Sequence, residues 1–370
     1  MSRVKTAPKD GHTRAENVHT QPLRKHKVFN NPEVLPEGWY PVCPAKNIGI
    51  GKADSFLIGG QRIAVFRTET GKLGALDAFC PHMGADLANG KVKGETLECY
   101  FHQWRFACNG ELAGTRCGTA PKLHQTSWPV EEKYGFIWVY SGAEAPYPVP
   151  DPSGLEGQDT VAFHLGRRRL FAHHHVMMIG GIDLQHFATV HGLDIEFKLE
   201  VSQEHDHIAT WKLDGEVPNL GWRGRFARWL IGERFNYHAR FAGGSIVALS
   251  YGPNVFFRGK GKQLPPLYIL WGGTPLESGI SDVDIFLLAP KAKGALGGLI
   301  GRLKIALTIA LLTVLRDDDV KAFPYMRFSV GRWIKEDESA ARFVRFIDDL
   351  PISRWSKAPP QIPEREEEAV

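Results

Sequence analysis

Between Gly38 and about Gly142, hydrophobic residues come in short runs rich in β-branched and aromatic side chains: GWYPVC, QRIAVFRT, LGALDAF, TLECYF and YGFIWVYS. Gly, Asp and Asn turns separate them, which predicts a small all-β domain. The stretch SGAEAPYPVPDPSGLEG, dense in Pro and Gly, reads as a domain boundary. Beyond it the pattern is mixed. RRRLFAHHHVMM, IATWKLDG, SIVALSYGP and DVDIFLLAP predict strands, and helices are expected near 183–192, 296–315 and 317–332. The expected organisation is a disordered basic tail over 1–35, the β domain over 36–145, an α+β domain over 146–355 and an acidic tail over 356–370.

One apolar stretch departs from this alternation: 294–315, GALGGLIGRLKIALTIALLTVL. Arg302 and Lys304 interrupt it and leave an uncharged run only from Ile305 to Leu315, shorter than the ~20 residues a spanning helix needs. It reads either as a core helix or as an apolar face on a membrane surface or around a greasy substrate entrance. The first thirty residues have no apolar h-region and no amphipathic periodicity, so neither a secretory signal nor a transit peptide is expected.

Composition adds little until the cysteines. In 370 residues, 43% are hydrophobic and 23% charged, an ordinary globular balance. Lys plus Arg minus Asp plus Glu is 45 − 41 = +4, too weak and dispersed to argue for nucleic acid. Five cysteines, an odd number in so long a chain, point to metal or reduced thiols rather than a disulfide framework.

Two of them sit in Cys80-Pro81-His82 and Cys99-Tyr100-Phe101-His102. Two thiolates and two imidazoles could hold zinc. The C-x-H arm, however, is too short to wrap one ion. A Cys and a His in each arm suit a two-iron cluster better, with both cysteines on one iron and both histidines on the other. A second constellation is Asp183-x2-His186-x4-His191. On a helix Asp183 and His186 lie ~60° apart, but His186 and His191 lie ~140° apart and cannot converge from a regular helix. A kink, a π-type bulge or a helix ending at Gly192 is therefore expected. Two histidines are half of a facial triad, and the acidic run Asp317-Asp318-Asp319 is the best source of its carboxylate. Asp183 also suits a helix N-cap. His173-His174-His175, read on a strand, would alternate faces and could not share one ion.

CPHMGADL followed by CYFHQW, with Gly84 and Trp104 in their customary places, resembles the Rieske motif of the Rieske-type non-haem iron oxygenases. Ala85 and Phe101 stand where respiratory Rieske proteins carry a disulfide, which points to the oxygenase branch. The resemblance covers about 36–330. It implies an α+β chain: an N-terminal all-β Rieske [2Fe–2S] domain, then a helix-grip-like catalytic domain with a mononuclear iron. It implies that Cys80, His82, Cys99 and His102 hold the cluster. His186, His191 and Asp319, with Asp318 as the register alternative, would hold Fe(II). Asp183 would bridge a cluster histidine and His186 across a subunit boundary. Many relatives have Asn shortly before this Asp, whereas here those places are Ile179 and Gly180.

Neither GxGxxG nor a P-loop is present, so electrons are expected from a separate ferredoxin or reductase. The resemblance further implies O2 as co-substrate and a homotrimer. The expected reaction is hydroxylation, oxidative demethylation or desaturation of a lipophilic, sterol-like molecule. Steroid 9α-hydroxylases, sterol desaturases, sterol C4-demethylases and aminopyrrolnitrin-type oxygenases show the same layout. The competing readings are a smaller aromatic or amine substrate, an electron-transfer-only Rieske protein and a zinc-stabilised binding module. A cytoplasmic location is expected, with peripheral membrane contact through 294–315 as a further reading.

Overall fold

The computed structural model describes residues 26–118, 122–192, 194–219, 221, 222, 225, 228, 232–252, 266–276, 279–294, 296–306, 308, 309, 328 and 333–357. The β domain consists of three small antiparallel sheets. β1 (Trp39–Pro44), β10 (Phe136–Tyr140) and β9 (Val130–Lys133) form one, in the order β1-β10-β9. β2 (Ala53–Ile58), β3 (Gln61–Arg67) and β4 (Leu73–Asp77) form the second. The third is β5 (Lys91–Lys93), β6 (Thr96–Glu98), β7 (Arg105–Ala107) and β8 (Leu112–Gly114).

The second domain is a seven-stranded antiparallel sheet. Its strands are β11 (Thr160–Leu170), β12 (Phe197–His205), β13 (Ile208–Glu216), β14 (Arg234–Ala242), β15 (Ile246–Tyr251), β16 (Leu267–Pro275) and β17 (Ser281–Pro290). Their spatial order is β11-β17-β16-β15-β14-β13-β12. Three shorter pieces accompany it: α1 (His174–Gly180) and α2 (Leu184–Thr189) between β11 and β12, and a helical stretch α3 over 297–306 after β17. The twelve-residue α4 (Glu338–Asp349) closes the described chain.

The two-residue period of the strands decides how these parts stack. Trp211, Leu213, Tyr237, Phe241, Val247 and Leu249 face one side of the sheet and pack with Phe343, Val344 and Ile347 of α4. These α4 residues recur at helical spacing, so one apolar stripe is gripped by the sheet. Phe343 lies 4.5 Å from Phe241 and 6.0 Å from Trp211, ring centre to ring centre. The alternate residues Ile246, Ala248, Leu270, Phe286 and Leu288 point the other way, onto Trp39, Phe136, Trp138 and Tyr140 of the β domain. The centre of the sheet is thus buried on both faces, which explains why β15 and β16 are apolar at most positions while β14 alternates polar and apolar residues.

Close approach between the domains requires glycine at two facing turns. A Cβ on Gly38 would lie 2.5 Å from the Gly243 carbonyl oxygen, and one on Gly243 (φ +57°) would lie 2.6 Å from the Gly38 Cα. An ion cluster around the buried Asp284 fixes the same seam. The Asp284 carboxylate accepts from Arg167 Nη2 at 2.7 Å and meets His164 Nε2 at 2.8 Å, while Arg167 Nη2 also donates to the Val42 carbonyl at 3.2 Å.

Several expectations change. The run RRRLFAHHHVMM is not one strand: β11 ends at Leu170 and the histidines begin α1. Residues 26–35, assigned to the tail, carry Val28, Phe29, Val34 and Leu35 buried in the core. Asp348 anchors them, accepting from the Val28 and Phe29 amides at 2.9 and 2.8 Å. The helix expected over 296–315 is present at 297–306, 308 and 309, and its remainder lies outside the described residues. So does the helix expected at 317–332, except for Phe328, which is not helical. No helix among the described residues is long and apolar enough to cross a membrane.

Candidate metal centres

The two Cys/His loops are built alike. The first follows β4. The Cys80 amide donates to the Ala85 carbonyl at 2.8 Å, and the Gly84 amide returns to the Cys80 carbonyl at 2.8 Å. The second joins β6 to β7. The Cys99 amide donates to Trp104 O at 2.8 Å, and the Gln103 amide to Cys99 O at 2.9 Å. Each loop needs a left-handed residue four places after its cysteine, supplied by Gly84 (φ +74°) and Gln103 (φ +58°). Gln103 is one of few non-glycine residues here with positive φ, a cost that such sites accept to aim their ligands.

This pair of turns puts both thiols inside and both imidazoles at the rim. Cys80 and Cys99 are buried, and the Cys80 thiol is pushed up to about 11 by burial, with Cys99 beside it adding to the rise. A metal is what would hold such buried sulfurs as thiolates. His82 and His102 are half-buried with ring centres 4.6 Å apart, and His82 stacks on Trp104 at 4.2 Å. Two sulfurs at one depth and two nitrogens at another fit a two-iron cluster with unlike irons, rather than a single tetrahedral ion. Cys43, Cys108 and Cys117 are free, and burial raises the Cys43 thiol to about 12.

The second candidate centre depends on a short helix. Asp183 is the N-cap of α2, accepting from the Gln185 amide at 3.0 Å and the His186 amide at 3.2 Å. α2 ends at Thr189, with Val190 as C-cap and Gly192 at φ +65°. That early end removes the ~140° separation a continuous helix would impose. His186 and His191 come together with ring centres 4.8 Å apart at 89°. Behind them Phe187, Phe197, Phe235, Tyr237 and Tyr251 form a continuous aromatic wall. The described residues thus bring two imidazoles together; Asp318 and Asp319 lie outside them.

His173, His174 and His175 also converge, contrary to the strand-based expectation: each offers a nitrogen within 4.8 Å of the others. His173 caps α1, so the three rings sit on a turn rather than a strand. Their hydrogen bonds argue against an ion. His173 Nδ1 accepts from the His175 amide at 3.3 Å, and His175 Nδ1 accepts from the Asn30 amide at 3.1 Å. Ser281 Oγ accepts from the His174 amide at 2.9 Å and lies 3.4 Å from His174 Nδ1. His174 Nε2 donates to the Gly244 carbonyl at 3.1 Å. All three rings therefore carry their proton on Nε2, leaving no lone pair there for a metal.

These features define a chain with a [2Fe–2S]-type Cys2His2 loop pair beside a helix-gripping sheet. Residues 38–128 match the Rieske [2Fe-2S] domain family. Over parts of its length the chain is similar in sequence to sterol- and steroid-oxidising enzymes, and over most of its length it is similar in fold to solved oxygenases. A cholesterol 7-desaturase of Ciona intestinalis is 34% identical over 192 residues, 49% of this chain and 40% of that protein. The oxygenase component of 3-ketosteroid-9-alpha-monooxygenase from Rhodococcus rhodochrous is 37% identical over 131 residues, 35% of each chain. The matched region thus spans about two fifths or less of these relatives' own length. The fold extends further than the sequence likeness. Dicamba monooxygenase bound to dicamba superposes with a TM-score of 0.58 at 18% identity, over 88% of this chain and 98% of that one. The terminal oxygenase of carbazole 1,9a-dioxygenase from Novosphingobium sp. KA1 gives 0.63 at 13% identity, over 89% and 96%.

Proposed function

We propose that this protein is the oxygenase component of a multi-component system that oxidises a lipophilic, sterol-like substrate with O2. The observation that carries the reading is the pairing, in one chain, of a Rieske loop pair with the converging His186 and His191. Cys80, Cys99, His82 and His102 would hold the [2Fe–2S] cluster, and His186, His191 and Asp319 a mononuclear Fe(II). When bound, the cluster supplies electrons one at a time and the iron supplies O2-reducing chemistry.

The chain's own residues have definite tasks. Asp183 fixes the start of α2 and so the direction of His186. We assign its carboxylate the contact with a neighbouring subunit's cluster histidine, in a homotrimer. Exposed Phe79, Met83, Tyr100 and Phe101 around His82 and His102 support such a subunit contact. The wall of Phe187, Phe197 and Phe235 would exclude water and favour an apolar substrate. The likeness to sterol- and steroid-oxidising relatives supports the same substrate class. Electrons would come from a separate ferredoxin or reductase. The free cysteines support a reducing, cytoplasmic compartment.

The test is substrate-dependent O2 consumption by the iron-loaded protein with a generic ferredoxin–reductase pair, over a panel of sterols, 3-ketosteroids and arylamines. Coupled oxidation of a sterol or steroid is expected. Oxidation confined to arylamines would move the assignment to small aromatic amines. Reduction and reoxidation without any product would mark an electron carrier.

A further inference from the structure

The half-apolar helix α3 presents a second surface that the oxygenase reading does not use. Gly297, Gly301 and Ile305 face inward, and a Cβ on Gly301 would meet Val161 of β11 at 2.6 Å. The opposite side is not polar, as a surface helix should be. Leu296, Leu299, Ile300 and Leu303 are 66%, 55%, 40% and 62% exposed. At 100° per residue they span an arc of roughly 100°, with Lys304 bordering one edge and Arg302 the other. Lys291 and Lys293, both exposed, precede the helix. No acidic residue occurs between Asp284 and Asp317.

We propose that this face is a peripheral docking site for an anionic phospholipid bilayer. The occupant must be apolar enough to cover four large aliphatic side chains and anionic enough to meet the Arg302 and Lys304 that border them. A bilayer surface bearing acidic headgroups offers both at once: the leucines enter the acyl boundary while Arg302 and Lys304 reach the phosphates. A protein partner would have to offer the same combination on one complementary patch. The helix lies in the interface and does not cross it. The proposal is independent of which substrate is oxidised.

The experiment is co-sedimentation of the full cluster-containing chain with phosphatidylcholine vesicles, with and without about 30% phosphatidylglycerol. Binding to the acidic vesicles is expected, at least ~10-fold stronger than to phosphatidylcholine alone and weakened by about 0.5 M salt. The double variant Leu299→Glu/Leu303→Glu should lose binding by about 10-fold or more. Arg302→Glu/Lys304→Glu should lose the preference for acidic lipid, and the visible spectrum of the cluster verifies that both fold. Wild-type protein that stays in the supernatant would overturn the proposal. So would binding unchanged in both variants, or a Leu299→Glu/Leu303→Glu chain that alters only oligomeric mass, which would make the face a protein interface.

Discussion

Lowering the pH from about 7 to about 5 should force the unfolding of this protein to take up protons that the folded chain refuses. His173, His174 and His175 are all buried, and burial lowers their affinity for protons, that of His174 down to about 3. Nδ1 of His173 and of His175 each accept from a backbone amide, so a second proton on either would also break a hydrogen bond. In the unfolded chain each imidazole titrates near about 6.5. The folded affinity is the depressed one, so the stability is present above about pH 6.5 and is lost as pH falls through and below it. Integrating the linkage relation over that interval gives about 2 kcal/mol for His174, and burial of His173 and His175 acts in the same direction. The assay is the denaturant dependence of tryptophan fluorescence, to which buried Trp39, Trp138 and Trp211 contribute, recorded across this pH range. The comparison that isolates the trio is His174→Gln. Its stability at neutral pH should fall somewhat, but its slope should drop by one proton, about 1.4 kcal/mol per pH unit. A wild-type chain equally stable at both pH values, or a His174→Gln chain with an unchanged slope, would refute the reasoning.

Other outcomes follow from the seam and the site. Arg167→Ala leaves the buried Asp284 carboxylate with only His164 and should cost about 3 kcal/mol in denaturant unfolding. Arg169→Ala, whose more exposed side chain pairs with Asp282, should cost under about 1 kcal/mol; equal losses would contradict the burial argument. Gly243→Ala should destabilise by more than about 1 kcal/mol and loosen the domain seam, detectable as faster proteolysis between the domains, because its Cβ meets the Gly38 backbone. Asn caps a helix as well as Asp. Asp183→Asn should therefore leave thermal stability within about 0.5 kcal/mol while turnover falls about 10–100-fold, whereas Asp183→Ala should lose both. An Asn variant with full turnover would confine Asp183 to capping.

The β domain was legible because its signals are local. Short apolar runs broken by turns became strands, and each Cys/His loop carries its geometry in a few consecutive residues. The break between His186 and His191 was likewise forced by helix arithmetic, and α2 ends three residues before Gly192. The histidine trio was misread because its conformation is decided from a distance. Asn30, Gly244 and Ser281 lie far along the chain, and only their hydrogen bonds turn a β-like sequence into a capped helix. The α4 stripe at Ala340, Phe343, Val344 and Ile347 was present in the sequence, but the acidic residues before it masked the period. Residues 26–35 look like tail because Val28 and Phe29 gain their burial from distant residues, His175 and α4 with its Asp348 among them.

Iron stoichiometry tests the central claim most directly. A fully reconstituted chain is predicted to hold about three iron atoms and about two acid-labile sulfides. His186→Ala should lose one iron and all turnover while keeping the reduced-state EPR signal of the Rieske cluster. A chain that binds only the cluster's two irons, and is indifferent to His186→Ala, would contradict the account.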